Sequence, residues 1–126
     1  MDGLARWRSY VESHDPAALW DALDPDAVFE SPVVHTPQRG REITHKYLIA
    51  ALNVLGGPGF TYVGEWRAAR GAVLEFEQTL DGVKINGVDI IGWNDAGLIT
   101  SFKVMVRPLK AINKLHELMA AMLMKG

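Results

Sequence analysis

Residues 83–106 read VKINGVDIIGWNDAGLITSFKVMV: two runs rich in β-branched and aromatic residues flank Asn94-Asp95-Ala96-Gly97. Apolar–polar alternation in such runs, with a short glycine-closed loop between them, predicts two antiparallel strands over 83–93 and 98–106. Working upstream, the turn signals Asp81-Gly82 and Arg70-Gly71 mark off two more runs, 72–80 and 60–68. Tight turns join antiparallel neighbours, so these four strands form a meander. Asn86-Gly87 is a rival turn signal within the third run. Turns at both Asp81-Gly82 and Asn86-Gly87 would leave only a stub between them, so Gly87 is read inside the strand, at a bulge.

The flanks of the meander are helical. Leu4, Trp7 and Val11 recur at helical spacing, with Arg6, Arg8 and Glu12 on the other side. Asp15-Pro16 offers an N-cap followed by proline at the first helical position, and Leu19, Trp20 and Leu23 form the inner face of a second helix. Asp24-Pro25-Asp26 is expected to end it, because a residue before proline resists helical angles. A short strand, 27–31, is halted by Pro32. A third helix runs from about 40 to 55, with Ile43, Tyr47, Leu48, Ala51, Leu52 and Leu55 on one face, and Gly56-Gly57-Pro58-Gly59 ends it. Arg107-Pro108 opens a last helix carrying Leu109, Ile112, Leu115, Met119 and Met122 as its apolar stripe.

This order of elements predicts an α+β fold: a cone-shaped, curved antiparallel sheet with N-terminal helices packed across its concave face and a C-terminal helix. Helices and a bent sheet cannot close perfectly at the wide end of a cone, and a pocket is expected there.

Composition narrows the classes. The 126 residues, 48% hydrophobic and 22% charged, fit one globular domain spanning 1–126 and exclude a disordered or collagen-like chain. Thirteen Lys and Arg against fifteen Asp and Glu leave no basic stripe for a phosphate backbone, so no nucleic-acid partner is expected. Cysteine is absent, which removes disulfides, thiolate metal sites and cysteine nucleophiles together. The four histidines lack metal-ligand spacing, and no phosphate-binding glycine loop or nucleophile elbow occurs in a fitting context. Neither a metal nor a cofactor is therefore expected. No secretory leader or bilayer-length apolar run is read, so the expectation is a cytoplasmic protein without a membrane partner.

Two stretches carry a family resemblance. Trp20…Leu23-Asp24-Pro25-Asp26-Ala27-Val28-Phe29-Glu30-Ser31-Pro32, with Gly40-Arg41-Glu42 opening the long helix, is the first. Gly87-Val88-Asp89-Ile90-Ile91-Gly92-Trp93-Asn94-Asp95-Ala96-Gly97-Leu98-Ile99 is the second. Together they resemble the nuclear-transport-factor-2-like superfamily, which includes ketosteroid isomerases and SnoaL-like cyclases, and the resemblance covers essentially the whole chain. Laid on the ketosteroid isomerase pattern, the general-base aspartate position holds Ser31, the first-helix oxyanion-hole tyrosine position holds Trp7, and the second oxyanion-hole residue is Asp89. One of three is retained. A serine hydroxyl is a far poorer proton acceptor than a carboxylate at neutral pH, which disfavours the familiar ketosteroid mechanism. The arginine position of the superfamily's epoxide hydrolases holds Gly87, which disfavours that chemistry too.

The resemblance implies that the face shared by Gly87, Asp89, Ile91 and Trp93 lines the cavity. A carboxyl walled by apolar groups there would have a raised pKa and could give or take a proton; the alternative is a structural aspartate paired with a lysine or an amide. His35, in the loop after the first strand, is a candidate replacement base or an ordinary exposed histidine. Catalytic candidates are thus Asp89 and His35. Ligand-binding candidates are Trp7, Ser31, Tyr47, Leu74, Phe76, Gln78, Ile91, Trp93, Phe102 and Val104; for Tyr47 the alternative is a core aromatic. Lys103, Met105 and Arg107 face the other side of the sheet, where this superfamily commonly forms dimers, so a homodimer through the sheet is expected. Met119, Met122 and Met124 either lid the cavity, join a dimer or simply pack.

The expected function is binding of a small hydrophobic, carbonyl-bearing molecule of polyketide, terpenoid or steroid-like type. As an enzyme, the protein would use Asp89 as acid or base in an isomerase, cyclase or lyase reaction, with Ser31, His35, Tyr47 and Gln78 orienting the ligand. The alternatives are a non-catalytic ligand-binding or dimerisation module, and a structural domain whose cone is filled.

Overall fold

The computed structural model describes residues 1–125. In chain order the elements are α1 (Gly3–Ser13), α2 (Pro16–Ala22), β1 (Leu23–Glu30), β2 (Gln38–Arg39), α3 (Arg41–Leu55), β3 (Thr61–Ala68), β4 (Gly71–Leu80), β5 (Val83–Trp93), β6 (Ile99–Arg107) and α4 (Leu109–Lys125). The sheet has six strands in the order β2-β1-β6-β5-β4-β3. The β3–β6 meander is antiparallel throughout, and β1 joins its β6 edge in parallel.

Local chemistry sets the helix ends. The Asp2 carboxylate accepts from the Ala5 amide at 2.8 Å, and Asp15 accepts from Ala17 at 3.0 Å with Pro16 behind it. Gly40, at φ 112°, opens α3 in a conformation that side chains resist. Two polar side chains on α3 then lock it to β1. Thr44, fully buried, donates to the Ala27 carbonyl at 3.0 Å, and the Arg41 guanidinium donates to the Leu23 carbonyl while lying over the Trp20 ring.

Period-2 burial in the meander selects one face for the core. Ala72, Leu74, Phe76 and Gln78 of β4 and Ile85, Gly87, Asp89, Ile91 and Trp93 of β5 all point inward. They meet Leu4, Trp7 and Tyr10 of α1, Leu48, Leu52 and Leu55 of α3, and Ala111 and Leu115 of α4. Fully burying a Leu or Phe side chain is worth ~1.5–3 kcal/mol. This shared inner face therefore holds the helices across the concave side.

Three local expectations are corrected. Asp24-Pro25-Asp26 does not terminate α2, because the chain is already extended from Leu23. The β1–β6 register shifts between Leu23 and Val28, so Pro25 sits where no ladder bond to β6 is required. Gly87 is no bulge: β4–β5 pairing runs without a break from Gly71↔Gly92 to Leu80↔Val83. Its missing side chain instead admits the Phe76 ring, since a Cβ there would lie 2.5 Å from Phe76 Cζ and 2.6 Å from the Met105 carbonyl. The register shifts of the meander fall in β3, between Tyr62 and Gly64, and in the β5–β6 pair, between Gly92 and Trp93. Finally, β2, a two-residue strand paired to Val28 and Phe29, adds an edge that the sequence reading lacked.

Candidate functional site

Asp89 is the centre of the site. Its neighbours across the sheet are Leu74 on β4 and Val104 on β6, both apolar and on the same inner face. Only 6% of the residue is exposed. Loss of water around the carboxyl pushes its pKa up to about 7, against a smaller downward pull from a Tyr62 hydrogen bond. Near neutral pH the group therefore populates both the acid and the anion.

A chain of donors fixes its orientation. Trp7 on α1 donates its indole N–H to the Tyr62 hydroxyl at 2.9 Å, and that hydroxyl donates to Asp89 Oδ2 at 2.6 Å. Indole nitrogen is a donor only, so the tyrosine oxygen must accept from Trp7 and its proton is committed to Asp89. Oδ2 consequently accepts in both protonation states. When Asp89 is neutral its proton resides on Oδ1, which among the described residues has no hydrogen-bond partner. Burial and the neighbouring carboxylate push the Tyr62 hydroxyl far above its ordinary value, so it stays a donor across the physiological range. Tyr62 was not singled out in the sequence because the β3 bulge interrupts its alternation. Val63 is the extra residue, after which Trp66 faces outward and Glu65 turns inward to pair with Arg8.

Two adjoining hollows lie on this inner face. The inner one, about 20 Å³, is a nook bounded by Asp89, Tyr62, Trp7, Phe76, Phe102 and Phe60. A void of this size holds one water. The outer one, about 220 Å³, opens at the wide end of the cone between the loop 31–34, α3 and α4. Ala51, Leu55 and Val104 line both. Phe29, Val33, Leu115, Met119 and Leu123 make the outer hollow apolar, and Ser31, Tyr47 and His116 supply its polar side chains. The Ser31 hydroxyl accepts from the Val33 amide at 3.0 Å and keeps its proton free for a ligand.

Of the residues expected to line the cavity, Trp7, Phe76, Phe102 and Val104 border the nook, while Ser31, Tyr47 and Val104 border the outer hollow. Four others lie elsewhere. Leu74 and Ile91 are sealed in the core beyond the nook, and Trp93 packs under the start of α1, where a Cβ on Gly3 would meet it at 2.7 Å. Gln78 spends its amide on the backbone, donating to the Leu55 carbonyl at 2.6 Å and accepting from the Thr79 amide at 2.8 Å. It ties the end of α3 to β4. His35 is exposed and outside both linings, because the turn held by Ser31 at Val33 leads the chain outward. Besides Tyr62 and Phe60 in the nook, the α4 side chains at the mouth, His116, Ala120 and Leu123, are a part of the site that the sequence does not assign. Met119 lines the hollow, whereas Met124 is exposed. Among the described residues no group of three or more His, Asp or Glu side chains could hold a metal ion, and no helix is long and apolar enough to cross a membrane.

This architecture has close relatives. A steroid delta-isomerase from Pseudomonas aeruginosa superposes with a TM-score of 0.90 at 34% identity, over 98% of this chain and 90% of that one. An uncharacterised protein with a cystatin-like fold from Silicibacter pomeroyi gives 0.85 at 28% identity, over 94% and 83% of the two chains. An NTF2-like protein of unknown function from Mesorhizobium loti, 23% identical with a TM-score of 0.71 over 84% and 88% of the chains, shares the fold. No match was found among curated proteins. Residues 4–102 match the SnoaL-like domain, a span containing all of α1 after Gly3, the full β3–β5 hairpins and Asp89. The chain therefore belongs to the SnoaL-like family of the nuclear-transport-factor-2-like superfamily.

Proposed function

We propose that the protein binds a small apolar, carbonyl-bearing molecule and moves a proton on it through Asp89, as an isomerase, cyclase or lyase. One observation carries the reading: Tyr62 engages Oδ2 and leaves Oδ1 as the carboxyl oxygen available to a nook of about 20 Å³, room for a single oxygen atom. With a ligand carbonyl seated there, ionised Asp89 would take a proton from the carbon beside the carbonyl onto Oδ1. The resulting Oδ1–H would hydrogen-bond the enolate oxygen until the proton is returned to another carbon of the same molecule. The steroid delta-isomerase relative is consistent with chemistry of this class. The test is incubation with β,γ-unsaturated ketones while following absorbance of the conjugated enone. Turnover by the wild type and its loss in Asp89→Asn is the expected result. Turnover equal in both proteins would remove Asp89 from the chemistry, and saturable binding without turnover would make the protein a ligand-binding module.

The same proposal includes a second copy of the chain on the convex face of the sheet. Across this face run Trp66, Val73 and Ile90 in one register row and Val88 with Met105 in the next, and Trp66 and Met105 are 59% and 53% exposed. Glu75 and Glu77 on β4 share that face with Lys103 and Arg107 on β6. Acid on one strand and base on another is self-complementary about a two-fold axis. Sedimentation of the wild type should show a dimer that Met105→Glu dissociates; a monomer at every concentration would sink it.

A further inference from the structure

We infer that the site selects compact ligands of one or two rings with a single projecting carbonyl oxygen, and that Ala51, on α3, sets that limit. This rests on the ligand-binding reading above and specifies its substrate class. Size comes first. The outer hollow, about 220 Å³, lies below the ~300–1,000 Å³ typical of pockets for drug-sized molecules, a class that includes four-ring skeletons. At ~30 Å³ per water it holds about seven waters, so a covalently bonded body on the order of ten non-hydrogen atoms fills it.

Shape comes second. Among the described residues the walls common to the hollow and the Asp89 nook are Ala51, Leu55 and Val104, so the boundary they form is the neck that a ligand oxygen would have to pass. The nook beyond, about 20 Å³, admits one atom and not a ring. A ligand must keep its rings in the outer hollow and pass only its oxygen through the neck to Asp89. Leu55 and Val104 are held in place, the first by the hydrogen bond from Gln78 to its carbonyl and the second by pairing with Asp89 across β5–β6. Ala51 is the small member of the three, and a larger side chain there would occupy the passage.

Polarity comes third. Among the described residues the outer hollow has the polar side chains Ser31, Tyr47 and His116, all at least partly exposed and so near its opening. The Tyr47 hydroxyl has no hydrogen-bond partner among the described residues, and its ring packs against Phe29 with centroids 5.6 Å apart. A second oxygen function on the ligand would be met at the mouth and not in the middle. The ligand is thus apolar in its body and polar at the end that reaches Asp89.

The experiment measures calorimetric binding of carvone, a one-ring enone, and of progesterone, a four-ring enone, to the wild type, Ala51→Leu and Met119→Trp. Carvone should bind the wild type at least tenfold more tightly than progesterone. Ala51→Leu should weaken carvone by tenfold or more, with the Trp7 indole N–H resonance no longer shifting on ligand addition. Met119→Trp, which fills the outer hollow from α4, gives the same loss by a second route should Ala51→Leu fold poorly. Progesterone binding as tightly as carvone would overturn the size limit while leaving the ligand-binding reading intact. Carvone affinity unchanged in a folded Ala51→Leu would overturn the neck. Failure of both ketones to bind the wild type would instead strike the proposed function itself.

Discussion

Replacing Asp89 with asparagine tests the buried acid without reference to any ligand. The carboxyl pKa rises from the ordinary 3.8 to about 7 in the folded protein because burial strips water from the anion. At ~1.4 kcal/mol for each tenfold step in acidity, ionising this group in the native state costs about 4 kcal/mol more than in the unfolded chain. The folded state binds the proton more tightly, so the contribution is favourable and complete below pH 3.8, shrinks as pH rises through the interval, and is gone above about 7. Roughly 2–3 kcal/mol of the change falls between pH 5 and 8. Asparagine keeps the shape, accepts from Tyr62 through its own carbonyl and carries no titrating proton. Urea unfolding of both proteins at half-unit pH steps isolates the effect, since every other carboxylate titrates in both. The difference in stability should move by about 2–3 kcal/mol in favour of Asp89→Asn as pH rises from 5 to 8. Parallel curves across that range would mean that Asp89 is hydrated, and the account of the site would fall with it.

Other consequences are independent of that titration. Tyr62→Phe strands the buried Trp7 indole N–H, which should cost about 1–3 kcal/mol in urea unfolding. It also removes the hydrogen bond that pulls the Asp89 pKa down, so a carboxyl ¹³C titration should show a midpoint above that of the wild type; a lower midpoint contradicts the relay. Gly87→Ala forces a methyl within 2.5 Å of Phe76 Cζ and 2.6 Å of the Met105 carbonyl, and the loss should reach about 1–3 kcal/mol, read as a lower urea midpoint. A variant as stable as the wild type would show that β4 and β5 are looser there than their pairing implies. Gln78→Leu leaves the Leu55 carbonyl and Thr79 amide without partners, so it should lower stability by about 1–3 kcal/mol while ketone affinity stays within twofold. A large affinity loss at full stability would return Gln78 to the ligand site.

The strands with strict alternation were legible. Val83–Trp93 matches its expected limits, and Gly71–Leu80 differs by one residue, because each buries every second side chain against a continuous core. The period put Asp89 on one face with Gly87, Ile91 and Trp93, and the family resemblance turned that face inward. Where a local feature breaks the period, sequence reading lost its grip. In TYVGEW the extra residue Val63 exchanges the faces of everything after it, so Tyr62, which holds Asp89 in place, carried no readable signal. Asn86-Gly87 illustrates the opposite case, a turn signal overruled by tertiary contacts. Asn86 spends its amide on Glu75, the Phe76 carbonyl and Arg107, and Gly87 gives space to an aromatic ring. The mouth was obscure for a different reason. Its α4 residues are apolar on a stripe that serves both the core and the cavity, and spacing along one helix does not tell which neighbour each side chain meets.

The placement of the acid also restricts the reactions open to the proposed site. Among the described residues Asp89 is the only carboxyl lining either hollow, and His116 on α4, the nearest alternative by lining, stands at the mouth instead of in the nook. A hydrolysis needs one group to activate water and another to protonate the leaving atom, and the nook has room for neither a water nor a second acid once a carbonyl fills it. An isomerisation or an aldol-type ring closure differs in that the proton taken from one carbon is returned to the same molecule. A single carboxyl can do both halves when its folded pKa lies near the working pH, as burial arranges for Asp89. The Trp7–Tyr62 pair suits that role because it supports the anion through Oδ2 without occupying Oδ1. The about 4 kcal/mol of folding stability forgone at neutral pH is then what maintains a proton carrier in a dry nook, where asparagine or leucine would make a more stable and inert core.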